Sequence, residues 1–216
     1  MKILKEVSLA DSLSVLNALL GFSAIVNSML YGLSDTSFAL FYFSLIIDGL
    51  DGFIASKTEK SILGKELDSL ADTISFGVFP AVALVEFNPN SFPFASLLIA
   101  STILRLARFN VLRVEDFIGI PTSVNSLLIT SLIRLKLDII IINSVALLSS
   151  ILMISDFSYI RIKNKILFAI AIIVLILAIN FKVLCYLIVF ACVLYILFPK
   201  EVIRWMRREK LLLKSE

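Results

Sequence analysis

Histidine is absent from all 216 residues. Its absence removes the commonest general base and the commonest metal-ligating side chain together. Any metal must then sit on oxygen, which favours Mg2+, Mn2+ or Ca2+ over zinc. Ser–His and Cys–His nucleophile pairs are excluded for the same reason. Cysteine is scarce. Cys185 and Cys192 lie seven apart in one apolar run, so no disulfide framework follows and both read as buried hydrophobes on one helix face. Charge is scarce as well: charged residues make up 17% and the net charge is only +3, which gives no global field for nucleic acid. The sequence shows no internal repeat and no low-complexity linker.

What fills the chain is apolar. Hydrophobic residues reach 59% and mean hydropathy is +1.00, too high for an ordinary soluble domain. The reading is all-α: a polytopic transmembrane helical bundle with about eight spans, at 9–31, 37–55, 64–87, 92–111, 118–134, 138–154, 165–181 and 183–199. Gly32 with Asp35, Pro89, Pro93, Pro121 and Pro199 mark the cuts. The nearly continuous run 165–199 is split at Asn180-Phe181-Lys182. The first apolar run starts near Leu9 and leads straight into further spans, so no cleavable signal peptide is expected. Lys and Arg divide 17 against 3 between alternate ends of these spans, the minority being Arg134, Lys136 and Lys182. That bias predicts two cytoplasmic termini and a multi-pass protein of the cell membrane. Residues 1–199 form the transmembrane domain. Residues 200–216, with Arg204, Trp205, Arg207, Arg208 and Lys210, read as a basic amphipathic tail on the anionic cytoplasmic leaflet.

Acidic residues gather where a bilayer tolerates them least. Asp48 and Asp51 are three apart at the end of the second span, and Asp68 and Asp72 are four apart at the start of the third. Each pair shares one helix face. A short loop joins the two spans, so the helices are antiparallel neighbours. Asp51 and Asp68 then lie about one turn inside, and Asp48 and Asp72 about two, near the cytoplasmic face. A charge within a span costs about 2.5–3.5 kcal/mol on insertion scales, less near the interface. Bound Mg2+ or Mn2+ compensates four such charges and also holds phosphate oxygens. Four of the seven glycines, Gly49, Gly52, Gly64 and Gly77, fall in the same stretch and permit close approach of a backbone or ligand.

This stretch resembles the signature of the CDP-alcohol phosphotransferase family, Asp-x-x-Asp-Gly-x-x-Ala-Arg followed by Gly-x-x-x-Asp-x-x-x-Asp. Asp48, Asp51, Gly52, Ala55, Gly64, Asp68 and Asp72 match. Ser56, followed by Lys57, stands where the family has Arg, and the loop before Gly64 is one residue shorter than usual. Ser14, Asn17 and Gly21 resemble the family's pattern on the helix that lines the nucleotide pocket. The runs Asp68–Pro80, Leu104–Asn110 and Phe117–Pro121 are similar to the branch that uses serine.

The resemblance implies transfer of the phosphatidyl or archaetidyl group of a CDP-lipid to the hydroxyl of L-serine, with release of CMP. It implies one or two divalent ions, Mg2+ or Mn2+, on Asp48, Asp51, Asp68 and Asp72, with Asp72 as the general base. It places the CDP-lipid on Ser14, Asn17, Gly52, Ala55, Ser56, Lys57 and Gly64. Arg105, Arg108 and Asn110 are the candidates for the serine carboxylate, since Arg binds carboxylates through a planar fork. With no histidine pair, a single displacement with inversion at phosphorus is expected. A homodimer embedded among membrane lipids is implied, and no nucleic-acid partner. The competing acceptors are inositol phosphate and glycerol phosphate, and a remoter alternative is a cation transporter. Asn125, buried in the fifth span, is expected to hydrogen-bond between helices.

Overall fold

The computed structural model describes residues 8–55, 63–112, 117–160, 164–200 and 202, the side chains of 51–55 excepted. They form eight helices: α1 (Leu9–Tyr31), α2 (Asp35–Ala55), α3 (Gly64–Phe87), α4 (Phe92–Val111), α5 (Thr122–Arg134), α6 (Ile139–Ile154), α7 (Lys165–Asn180) and α8 (Leu184–Leu197). Each falls on one of the eight apolar stretches of the sequence, α2 starting two residues before the expected 37–55. Leu9–Tyr31, Gly64–Phe87 and Pro89–Val111 are long and apolar enough to cross a membrane. This is the build of a helical membrane protein. α6, α7 and α8 are apolar but shorter, at 16, 16 and 14 residues.

Local chemistry sets the ends. Ser8 and Asp11 make a reciprocal capping box at α1, the Ser8 hydroxyl accepting from Asp11 N–H and the Asp11 carboxylate from Ser8 N–H. Asp138 and Asn164 cap α6 and α7 by accepting backbone N–H bonds. The start of α5 departs from the expected 118–134. Phe117 and Ile118 are extended (β1) and pair antiparallel with Ser158 and Tyr159 (β2), and the helix begins only after Pro121. Proline disfavours helix in the residue before it, which fits that boundary. Among the described residues the fold is thus all-helical apart from this two-residue ladder.

α3 is continuous but not uniform. Thr73–Val78 widens into a π-helix, with Phe79 N–H donating to Ile74 O five residues back. Pro80 follows directly. It has no N–H to give the carbonyl of Phe76, and its ring would crowd that carbonyl in a regular turn. The widened turn keeps the helix intact across the proline.

α1 packs along α2 and crosses α3; α4 packs on α6, α5 on α8, and α7 on α2. The core draws on all eight helices, and within it Phe41 stacks on Phe79 at 5.1 Å and meets Phe76 edge-on at 6.3 Å. Outward faces are apolar too: Ile166, Ile170, Ile173, Leu187 and Phe190 on α7 and α8 are all exposed. Such faces suit hydrocarbon, not water.

Arg134, at the end of α5, is buried. Its guanidinium donates to Tyr42 Oη (3.4 Å), Asp35 Oδ1 (3.1 Å), Ala178 O (2.6 Å) and Ile179 O (2.7 Å). It therefore ties the start of α2 to the end of α7. Cys185 and Cys192 are buried free thiols, as their setting in the sequence suggests. Cys185 also shares a hydrogen bond with Tyr42 Oη at 3.5 Å.

Candidate active site

The site forms where α1, the end of α2 and the start of α3 converge. Carboxylate oxygens of Asp48, Asp68 and Asp72 all lie within 4.8 Å of one another. Asp48 and Asp68 are half-buried, and Asp72 is buried. The antiparallel helices bring the two halves of the motif together as their spacing requires. Asp51, Gly52 and Ala55 belong to α2, but their side chains lie outside the described residues, as do Ser56 and Lys57 entirely. The donor set is all carboxylate, which fits a hard divalent cation with oxygen ligands.

α1 supplies the third wall. Asn17 is buried, and its Nδ2 donates to Asp72 Oδ1 at 3.4 Å. Ser75, one turn past Asp72, donates through Oγ to Asn17 O at 2.9 Å. Gly21 lies one turn further along α1. A Cβ there would stand 2.7 Å from Ser75 Cα, so only glycine lets the two helices approach this closely. Ser14 is buried on the same helix and donates to Ala10 O at 3.4 Å. Asn17 and Gly21 therefore lie against α3, at Asp72 and Ser75. Gly64 opens α3. Gly49 and Gly77 take neighbours rather than open space: Gly49 faces the Phe168 ring and Gly77 the Thr102 methyl.

The two arginines of α4 part company. Arg108 is committed. Its Nη1 donates to Ile154 O (3.0 Å) and to Asp156 Oδ1 (3.3 Å), and its Nη2 to Ile118 O (3.0 Å), Met153 O (3.2 Å) and Ser155 O (2.9 Å). It satisfies carbonyls at the end of α6 and fixes β1 beside them. Arg105 is 5% exposed, and its Nε has no hydrogen-bond partner among the described residues. The guanidinium lies 5.5 Å over the Phe117 ring and 6.0 Å from that of Phe109. It stands within electrostatic reach of Asp72 and Asp68. Asn110 links the two helices, its Oδ1 accepting from Ser69 Oγ (3.1 Å) and its backbone carbonyl from Lys65 Nζ (2.5 Å). Asn125 corrects an expectation. It is fully buried, yet neither Oδ1 nor Nδ2 has a hydrogen-bond partner among the described residues, so it makes no helix-to-helix bond there.

Sequence reasoning missed the direct link between Asn17 and Asp72. The signal was present: an amide side chain one turn from a glycine on the first helix. It also missed the aromatic bed under Arg105, which a strand pairing assembles and no local pattern announces.

A family model described as CDP-alcohol phosphatidyltransferase matches residues 7–198. The CDP-diacylglycerol–serine O-phosphatidyltransferase of Methanocaldococcus jannaschii is 39% identical over 169 residues, 75% of this chain and 78% of that protein. The archaetidylserine synthase of Methanothermobacter thermautotrophicus is 38% identical over 139 residues, 60% of this chain and 59% of the relative. The CDP-diacylglycerol–serine O-phosphatidyltransferase of Bacillus subtilis is 34% identical over 113 residues, 49% of this chain and 63% of the relative. The match thus covers most of the first relative and less than two thirds of the other two.

Proposed function

The chain belongs to the CDP-alcohol phosphatidyltransferase family, and on that premise we propose that it transfers the phosphatidyl or archaetidyl group of a CDP-lipid to the hydroxyl of L-serine. The observation that carries this reading is the triad of Asp48, Asp68 and Asp72 carboxylates gathered within 4.8 Å, in a chain whose relatives are named for that reaction. Inositol phosphate, glycerol phosphate and cation transport find no comparable support.

Asp48, Asp68 and Asp72, with Asp51, would hold one or two divalent ions, Mg2+ or Mn2+. When bound, such an ion offsets the negative charge of the pyrophosphate and of the departing CMP. Asn17 holds Oδ1 of Asp72 through its amide, which fixes the carboxylate that takes the proton. Serine's hydroxyl is a poor nucleophile until a positioned base removes that proton. As it leaves for Asp72, the serine oxygen bonds to the lipid-side phosphorus and the bond from that phosphorus to the CMP oxygen breaks. Arg105 receives the serine carboxylate, because Arg108 already has acceptors on both terminal nitrogens. Ser14, Asn17, Gly52, Ala55, Ser56, Lys57 and Gly64 contact the CDP-lipid. The eight helices span the cell membrane with both termini, the basic tail 200–216 and the aspartate cluster at the cytoplasmic face, in a homodimer. That tail falls largely outside the described residues.

The test is CMP release by purified protein in detergent, given CDP-lipid and Mn2+ or Mg2+, with and without L-serine. Release should require both metal and serine, and Asp72→Asn should lower kcat by at least about 10²-fold, the scale of a lost general base. Release with only inositol phosphate or glycerol phosphate would overturn the serine assignment. Metal binding without release on any alcohol would overturn the enzymatic reading.

A further inference from the structure

A buried cation with an unbonded donor is costly unless something supplies the missing acceptor. Arg105 is such a cation, 5% exposed with Nε unpartnered among the described residues. Its guanidinium carbon lies 5.5 Å over the face of the Phe117 ring. An aromatic face attracts a cation through its quadrupole and occupies none of its N–H groups. It therefore steadies the guanidinium and leaves the donors for an incoming carboxylate. Three residues along the same helix, Arg108 shows the opposite arrangement, with bonds to four carbonyls and a carboxylate.

Phe117 is itself held by segments outside the aspartate motif. It pairs with Tyr159 across the β1–β2 ladder. Tyr159 stacks on Tyr195 of α8 at 5.4 Å, with Tyr159 Oη donating to Ile196 O (3.3 Å) and Tyr195 Oη to Ile160 O (3.1 Å). Gly119, two residues on, has φ +75° and donates to Phe157 O at 2.8 Å. A Cβ there would stand 2.8 Å from the Met153 carbonyl carbon and 2.9 Å from Arg108 Nη2. The ladder, the tyrosine pair and Arg108 thus fix the backbone that carries the ring, and the Phe109 ring lies 6.1 Å from it.

We propose that Phe117 is a specificity-determining positioning residue for the acceptor: its ring holds the Arg105 guanidinium in the orientation that receives the acceptor's carboxylate. This rests on Arg105 being the carboxylate anchor. β2 and α8, through Tyr159 and Tyr195, then contribute to acceptor choice although they carry no part of the aspartate motif.

Steady-state CMP release with varied L-serine tests it on the full chain. Phe117→Leu keeps an apolar side chain and removes the ring. Its serine KM should rise about five-fold, the scale of one exposed-to-partly-buried cation–π contact. Its kcat and its KM for the CDP-lipid should stay within about two-fold, and Phe117→Tyr, which keeps the ring, should restore the serine KM. If Phe117→Leu does not fold, Phe117→Met makes the same comparison. An unchanged serine KM in these variants, while Arg105→Lys raises it, overturns the role of Phe117 and leaves the anchor standing. An unchanged serine KM in Arg105→Lys as well overturns both. A fall in kcat at constant serine KM also overturns the proposal.

Discussion

At the scale of single residues, Gly21 bears on catalysis without touching substrate. It sits one turn along α1 from Asn17, and its neighbour across the interface is the backbone of Ser75 in the helix that carries Asp72. Backbone cannot swing aside as a side-chain tip can. Gly21→Ala must therefore part α1 from α3 and lengthen the 3.4 Å bond from Asn17 to Asp72. A displacement approaching 1 Å at a reacting group costs about 10²-fold in rate. The expected result is a kcat for CMP release lower by about that factor, with the protein still folded by thermal unfolding in detergent. Ser14, Asn17 and Gly21 were legible through their resemblance to the family's pattern on its first helix. The bond from Asn17 to Asp72 was not, since it joins residues 55 apart. Arg105 and Arg108 looked equivalent in sequence. Three residues along a helix turn the second side chain toward the end of α6, and only the packing of that helix shows where it goes.

At the scale of elements, α6 ends on Arg108. Met153, Ile154 and Ser155 present carbonyls with no successor turn, and the guanidinium answers all three. Its ion pair with Asp156 adds little, because that carboxylate is fully exposed. Arg108→Ala leaves the carbonyls and Ile118 O without their donor and should destabilise the protein by about 3 kcal/mol, the scale of a few lost bonds to a charged group. Arg108→Lys should recover only part, because one ammonium cannot reproduce the fork. Unfolding midpoints in detergent check both. Helix positions were largely legible from apolar run length and from breakers such as Pro89, Pro93 and Pro121. The β1–β2 ladder was not, since a pair of two-residue strands carries no periodicity. The π-helix was half-legible: Pro80 announces a problem for the helix, but kinking, breaking and widening all solve it.

At the scale of the whole molecule, charge sorts the two ends. α2 carries Asp35 at one end and Asp48 thirteen residues on, about 20 Å apart along the axis. The Asp48 end joins the acidic cluster, and the Asp35 end joins the buried Arg134 network. In sequence, Arg134 counted only as one of three cations on the sparse side. Its role as a tie between α2 and α7 depends on the carbonyls of Ala178 and Ile179, which no composition reveals.

α7 and α8, with 16 and 14 helical residues, are about 24 and 21 Å long at 1.5 Å per residue. A typical hydrocarbon layer is about 30 Å thick. If these two helices cross the bilayer as proposed, lipid beside them must compress, or the helices must draw in the turns at their ends, at fractions of a kcal/mol per Å. Because Tyr195 of α8 stacks on Tyr159 of β2, and β2 pairs with the strand whose Phe117 ring lies under Arg105, strain on α8 would reach the proposed acceptor side of the site. In vesicles of graded acyl length, the serine KM should be lowest in the thinner bilayers and rise as chains lengthen, whereas a flat profile would uncouple bilayer thickness from acceptor binding. The catalyst would then sense the dimension of the membrane whose lipid it makes.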